Sequence, residues 1–378
     1  MATATPVRPT HEPAVIEQLS ILDRFLPVWI VLAMAAGLGL GSVIPGLNSA
    51  LSSVEVGGTS LPIAIGLLLM MYPVLARVRY EELGRLRSER SLFVSSVVLN
   101  WLIGPALMFS LAWLLLPDQP AYRTGLIIVG LARCIAMVLI WSELACADRE
   151  ATAVLVAINS VFQIAAYSFL GYFYITLLPK WLGLHTQGFQ IGLWPVARTV
   201  LIFLGIPLAA GYLTRLAGLR TRGTQWYEER FLPRIGPIAL YGLLFTIVLL
   251  FALQGHQITH HPLDVVRIAA PLLIYFAIMF GVSFAWGRAL RLGYERTATL
   301  AFTAASNNFE LAIAVAIGVF GATSGEALAG VVGPLIEVPV LVGLVYVSLW
   351  LRGRAFPAGT ITPGQLEHLA PAQGIEAQ

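Results

Sequence analysis

The sequence predicts an all-α polytopic membrane protein of ten transmembrane helices, in two inverted five-helix repeats with the fourth and ninth helices discontinuous. Three observations carry that prediction. Of the 378 residues, 58% are hydrophobic and 11% charged, and the mean hydropathy is +0.81, whereas soluble domains carry about 25% charged residues. Apolar stretches close to the ~20 residues that cross a bilayer recur along the chain. Two of them hold polar residues at their midpoints, Arg133-Cys134 in one and Ser306-Asn307-Asn308-Phe309-Glu310 in the other. Closed barrels need short alternating strands, which the sequence lacks, so helices must satisfy the backbone in lipid.

The spans and the charges between them follow in order. Spans 27–46 and 60–78 lead to a basic loop holding Arg77, Arg79, Arg85, Arg87 and Arg90. Spans 92–116 and 122–144 lead to Arg149, with only Arg123 between them. Spans 151–178 and 195–214 flank Lys180 and Arg198, and are followed by Arg215, Arg220, Arg222, Arg230 and Arg234. Spans 236–253 and 266–287 flank Arg267 and precede Arg288, Arg291 and Arg296. Spans 297–320 and 326–350 complete the set before Arg352 and Arg354. With Arg8 and Arg24 counted at the start, one side collects 18 basic residues and the other 4, and Arg133 is left within the membrane. Cytoplasmic loops hold the excess of Lys and Arg, so both termini are expected in the cytoplasm, with the chain in the plasma membrane. The net charge of +3 reflects this loop bias; charge divided among short loops is no nucleic-acid surface.

Residues 1–24 lack the basic start and cleavage site of a signal peptide. They read as a solvated cytoplasmic segment, 25–352 as the membrane domain, and 353–378 as a cytoplasmic tail. An internal repeat, about 25–178 and about 190–352, organises the domain. Tyr122-Arg123-Thr124 lies over Glu295-Arg296-Thr297 at an offset of 173, which sets Cys134 over Asn307 and Met137 over Glu310. After a gap of three, Glu150-Ala151-Thr152-Ala153 lies over Glu326-Ala327-Leu328-Ala329. Five spans per copy invert the second copy. Inverted repeats of this kind place a site near the midplane between discontinuous helices. Ser306-Asn307-Asn308 favours an unwound stretch in the ninth span; in the fourth, Gly130 and Arg133 give weaker signals and the repeat carries the expectation.

Charged residues at bilayer depth normally face a cavity or a pathway. The stretches Gly130-Leu131-Ala132-Arg133-Cys134-Ile135-Ala136-Met137, Asn159-Ser160-Val161-Phe162-Gln163, Asn307-Asn308-Phe309-Glu310-Leu311-Ala312 and Gly333-Pro334-Leu335-Ile336-Glu337-Val338-Pro339, together with Trp141 and Leu99 through Pro105, resemble the Acr3 arsenite efflux transporters of the bile acid/arsenite/riboflavin transporter superfamily. The resemblance runs from about residue 20 to 352. It implies export of arsenite, and sometimes antimonite, through a ten-helix carrier driven by proton motive force. It also implies importance for Asn159, Asn308, Trp141, Arg198 and Glu337.

The residues suit that chemistry. Arsenite at neutral pH is As(OH)3, a small polar solute whose arsenic exchanges a hydroxyl for a thiolate. Cys134, beside the positive charge of Arg133, is the expected arsenic ligand. Only Cys134 and Cys146 exist, so one protomer cannot trap arsenic in a three-thiolate site, and a single thiol permits release. Twelve residues separate the two, about 18 Å along a helix, and Cys146 is read as an inert small residue.

Glu310 is the expected proton carrier, joined by Glu337, because access to water or contact with Arg133 would change its protonation. Either carboxylate is the natural charge partner of Arg133. Asn159, Asn307 and Asn308 either bind substrate hydroxyls or tie helices together. Trp141, Arg198 and Phe309 are gating or packing residues. The histidines fall in loops or tails, and His256, His260 and His261 in an external loop bind metal adventitiously at most. The expected partners are arsenite, protons and lipid, with no cofactor; the sequence sets no oligomeric state.

Three alternatives stay open. A sodium-coupled organic anion symporter of the same superfamily would use Asn308, Glu310 and Gln163 for a cation and leave Cys134 without a task. An intramembrane enzyme would need a zinc-binding His-Glu-x-x-His, an aspartyl Gly-x-Gly-Asp, or a Gly-x-Ser-x paired with a midplane His, and the sequence has none of these. A passive channel would conduct arsenite without accumulating it.

Overall fold

The computed structural model describes residues 25–44, 46–47, 55–56, 59–80, 90–184, 192–260 and 262–356. The N-terminal segment and the tail beyond 356 lie outside the described residues, as does His261. Among the described residues the regular structure is helical apart from a hairpin of two-residue strands, β1 (Glu55–Val56) against β2 (Thr59–Ser60), and an isolated antiparallel bridge between Arg133 and Asn307. The helices are α1 (Leu26–Val43), α2 (Leu61–Ala76), α3 (Arg90–Leu115), α4 (Pro120–Leu131), α5 (Met137–Leu144) and α6 (Arg149–Trp181). They continue with α7 (193–222), α8 (224–260), α9 (Pro262–Ala289), α10 (Tyr294–Ala305), α11 (Phe309–Phe320) and α12 (Gly325–Ala355).

Helix α7 outruns its predicted end at 214 and α8 begins well before 236. Arginines at a helix end snorkel into the headgroup layer without stopping the helix. What separates α7 from α8 is Gly223, at φ 80 and ψ 166, a left-handed backbone that glycine adopts at little cost. Helix α8 likewise runs on through His256 to His260, which puts those two histidines on a helix and not in the external loop that the sequence predicts.

Four wide π-turns interrupt the helices, at Leu99–Ile103, Phe173–Leu177, Leu201–Gly205 and Tyr227–Phe231. Each is followed by one residue and then a proline: Pro105, Pro179, Pro207 and Pro233. Proline has no N–H for the carbonyl four residues back and its ring crowds that carbonyl. The turn widens, and the residue before each proline bonds five residues back, as Gly104 N–H does to Leu99 O.

Helix α8 packs on α1 and α2, and α7 on α2; α3 through α6 pack with α9 through α12, and the N-terminal part of α7 packs on α6 and α11. Helix α1 meets α8 closely through Gly37 and Gly41, where a Cβ would run into the carbonyls of Val248 and Ala252; small residues at this spacing are how helices approach in lipid. Long apolar helices (α3, α6, the α7–α8 run, α9, α12) and outward-facing Leu114, Phe169, Trp194 and Tyr346 define a multi-pass membrane protein. Buried Arg133, Asn100, Gln163, Asn307, Asn308 and Glu337 lie inside the second group of helices.

Candidate functional site

Helix α4 stops at Leu131 and α10 at Ala305; both chains then run extended, with Ala132 at φ −87, ψ 122 and Ser306 at φ −87, ψ 145. The two extended stretches cross as an isolated antiparallel bridge between Arg133 and Asn307. Cys134 N–H donates to Ser306 O at 3.4 Å, and Asn308 N–H to Ala132 O at 3.1 Å. Side chains supply the remaining partners: Arg133 N–H donates to Gln163 Oε1 at 2.9 Å, and Asn307 N–H to Glu337 Oε1 at 3.1 Å. Buried backbone groups need partners, and here each broken strand finds them on the other strand and on one neighbouring helix.

These contacts are reciprocal at an offset of 174. Ala132 pairs with Ser306, Arg133 with Asn307, Cys134 with Asn308 and Gln163 with Glu337, and α4 and α10 share that offset at both ends. The sequence offset of 173 is therefore one residue short, and Cys134 lies over Asn308, not Asn307. The correction gives the two residues a common position in the crossing, and each side chain accepts a backbone N–H from the first turn of the helix that follows it, Asn308 as the N-cap of α11 and Cys134 from two residues before the N-cap of α5. Cys134 Sγ accepts from Val138 N–H at 3.3 Å, and Asn308 Oδ1 from Leu311 N–H at 3.0 Å.

Arg133 has no ion pair with Glu310 or Glu337 among the described residues, against the sequence expectation. Its guanidinium donates to Tyr275 Oη at 2.8 Å, to Ala304 O at 3.3 Å and to Gly130 O. Those two carbonyls lie at the C-terminal ends of α10 and α4, where the helix dipole concentrates negative partial charge. One cation thus serves two helix ends. Gly104, above the first π-turn, leaves the room: a Cβ there would stand 3.0 Å from Arg133 Nη1 and 3.1 Å from Tyr275 Oη. Tyr275 carries no motif of its own, and Gly104 lies in the Leu99 to Pro105 stretch without a role of its own in the sequence reading. Their signal was positional, a tyrosine within the apolar eighth span and a glycine before Pro105.

The other candidate residues are spread over several elements. Asn159 on α6 is buried and accepts from Trp101 Nε1 at 3.2 Å. Trp141 on α5 is buried, and Phe309 opens α11 with its ring against Gly333 of α12. Glu310, second in α11, is half-buried. Arg198 is exposed on α7 and does not join the crossing. Both cysteines are free thiols, Cys134 buried and Cys146 half-buried in a left-handed turn after α5.

Several buried polar atoms on the crossing strands and on α5 and α6 have no hydrogen-bond partner: Trp141 Nε1, Asn159 Nδ2, Gln163 Nε2, Asn307 Oδ1 and Asn308 Nδ2. Unpaired buried groups cost roughly 1–3 kcal/mol each, so a cluster of them favours a small ligand rich in oxygen. The set is weighted toward donors. No group of three His, Cys, Asp or Glu side chains able to hold a metal ion occurs among the described residues.

Packing here is tight enough to test. Gly333→Ala would drive its Cβ into the Phe309 ring, and overpacking of this kind costs roughly 1–3 kcal/mol. A lowered melting temperature is expected for Gly333→Ala and partial recovery for Gly333→Ala with Phe309→Leu; additive losses in the double variant would refute the contact.

Unwound backbone at membrane depth persists only inside protein or along a polar cavity, and two such stretches crossing within a lipid-covered bundle mark a membrane transporter. Residues 64–261 match the model of the sodium bile acid symporter family. The arsenical-resistance protein Acr3 of Corynebacterium glutamicum is 58% identical over 92% of this chain and 94% of its own length. An uncharacterized transporter of Synechocystis is 37% identical over 86% of this chain and 88% of its own. The arsenical-resistance protein Acr3 of Alkaliphilus metalliredigens is 32% identical over 87% and 93%. The chain belongs to the Acr3 family of arsenical-resistance proteins, within the sodium bile acid symporter family.

Proposed function

We propose that this protein exports arsenite from the cell in exchange for protons. The observation that carries the proposal is the placement of its buried thiol, Cys134, in the crossing just before α5, with unpaired amide and indole donors on the crossing strand of Asn308 and on α5 and α6. The 58% identity to a protein named for arsenical resistance supports the same substrate. Arsenic joins the sulfur as the Cys134 S–H and one As–OH bond break and S–As forms; the thiol proton and the hydroxyl leave as water. Hydrolysis reverses the step and releases As(OH)3. Asn159 and Asn308 donate to the remaining hydroxyl oxygens. Antimonite, with the same hydroxide chemistry and a thiophilic centre, is a second substrate.

The membrane arrangement proposed is ten spans in two inverted repeats, with both termini cytoplasmic. Helices α4 with α5 and α10 with α11 then act as single interrupted spans. At ~1.5 Å per residue the 12 residues of α10 and the 12 of α11 together reach about 36 Å, enough for a hydrocarbon core of about 30 Å. The reciprocal bonds of the crossing and the excess of basic residues on one side support this arrangement.

Exporting a neutral solute gains nothing from the membrane potential, whereas one proton entering supplies about 2.3 kcal/mol per 100 mV. Glu310 and Glu337 are the proposed proton carriers. Arg133 is held by Tyr275 and two carbonyls, and among the described residues neither carboxylate has a cation partner. Everted vesicles with an acidified interior are expected to accumulate arsenite, to lose it when a protonophore is added, and to show no sodium dependence. Glu310→Gln and Glu337→Gln are expected to retain arsenite binding but not accumulation against a gradient. Uptake that ignores both pH gradient and potential would overturn proton coupling, and a sodium requirement would favour the organic anion symporter reading.

A further inference from the structure

We propose that the corner between α7 and α8, with the end of α2, is a docking surface for the headgroup of an anionic phospholipid. The three helix ends are tied into one platform. Tyr227 Oη donates to Ala76 O at 3.0 Å, and Glu228 pairs with Arg79 at 2.9 Å and with buried Arg215 at 3.5 Å. That leaves Glu228 committed inside the platform. Outside it, Arg77, Arg220, Arg222, Arg230 and Arg234 are exposed, and no carboxylate among the described residues pairs with them. Among the described residues of this corner the exposed acid is Glu229, which accepts from Gln225 at 3.1 Å. Among the described residues, five exposed guanidinium groups against the single exposed carboxylate of Glu229 make a strongly positive patch at this helix corner.

The neighbours of the patch select a lipid over a soluble anion. Arg222 lies over the Trp226 ring, 4.6 Å from its centroid, and Trp226 stacks on Phe231 at 5.7 Å, an aromatic group of the kind that settles at headgroup level. On the same helices Leu213, Ile238 and Tyr241 are exposed apolar side chains, suited to acyl chains rather than water. The guanidinium fork pairs bidentately with phosphate oxygens, and basic pockets between membrane helices hold acidic headgroups. The patch is separate from the crossing and does not depend on the substrate carried.

The test is native mass spectrometry of the full-length protein titrated with phosphatidylglycerol or phosphatidylcholine of the same acyl chains. Wild type is expected to retain phosphatidylglycerol about tenfold better, and the combined variant R220Q/R222Q/R230Q/R234Q to lose most of that preference. The four corresponding lysine substitutions, which keep the charge, guard against a folding defect and are expected to keep at least part of it. Equal retention of the two lipids by wild type, or an unchanged preference in the glutamine variant, would overturn the proposal. Displacement of the lipid by millimolar glycerol phosphate would show a site for free phosphate and would overturn it as well.

Discussion

Cys134→Ser is expected to reduce arsenite accumulation in energised vesicles to the level of vesicles without the transporter, while leaving the fold intact. Serine keeps the shape, and its hydroxyl can accept the Val138 N–H that Cys134 Sγ now accepts at 3.3 Å, so the start of α5 stays capped. What serine lacks is affinity for arsenic. Cys134→Ala separates the two roles: it loses the cap as well, at about 1 kcal/mol by comparison with polar caps, and should melt lower than the serine variant while transporting no better. A serine variant that accumulates arsenite normally would remove the thiol from the mechanism. Asn308 would then be the stronger candidate, since it holds the equivalent position on α11 and its Nδ2 is buried without a partner. Cys146 is expected to tolerate serine, because it sits in the turn beyond α5 and outside the crossing.

The parts of this fold that were legible in the sequence are those set by one strong term, the transfer of apolar surface. Ten apolar runs gave the membrane class and approximate helix positions, because length and hydropathy suffice for that. The break in the ninth span was legible in Ser306-Asn307-Asn308. In the fourth span Ala132-Arg133-Cys134 has no comparable breaker, and its extended backbone depends on bonds from Ser306, Asn308 and Gln163 that lie far away in sequence. The same distance explains the register error. Matching Arg123-Thr124 to Arg296-Thr297 weighs side-chain identity, whereas the fold aligns hydrogen-bond positions, and those place Arg123 over Thr297.

Helix ends were misjudged where charge was taken as a stop. Arginines from 215 to 222 remain helical, and only Gly223, with its positive φ, breaks the run. The partner of Arg133 was missed for a further reason: a sequence displays carboxylates but not the carbonyl ends of helices. Glu310 and Glu337 looked like its counter-charges. The true acceptors, Gly130 O, Ala304 O and Tyr275 Oη, exist as a set only once α4 and α10 have stopped at the same place.

That arrangement makes Arg133→Ala the variant expected to damage stability most. Its removal strands the Tyr275 hydroxyl and takes the cation from two helix C-termini, all buried. At ~1–3 kcal/mol for each unsatisfied group, together with the lost dipole interaction of up to ~2 kcal/mol, the loss reaches several kcal/mol. Total stabilities are themselves only about 5–15 kcal/mol. Little folded protein should then survive detergent extraction, and whatever survives should melt far below wild type. Arg133→Lys is the informative companion. Lysine keeps the charge but presents a point donor in place of a planar fork, so it can serve one helix end well and not both, and an intermediate melting temperature is expected. A stable alanine variant would show that the guanidinium does not hold the crossing. A lysine variant that melts like wild type but accumulates no arsenite would instead place Arg133 at the substrate, because the fold would then be indifferent to the fork and transport would not.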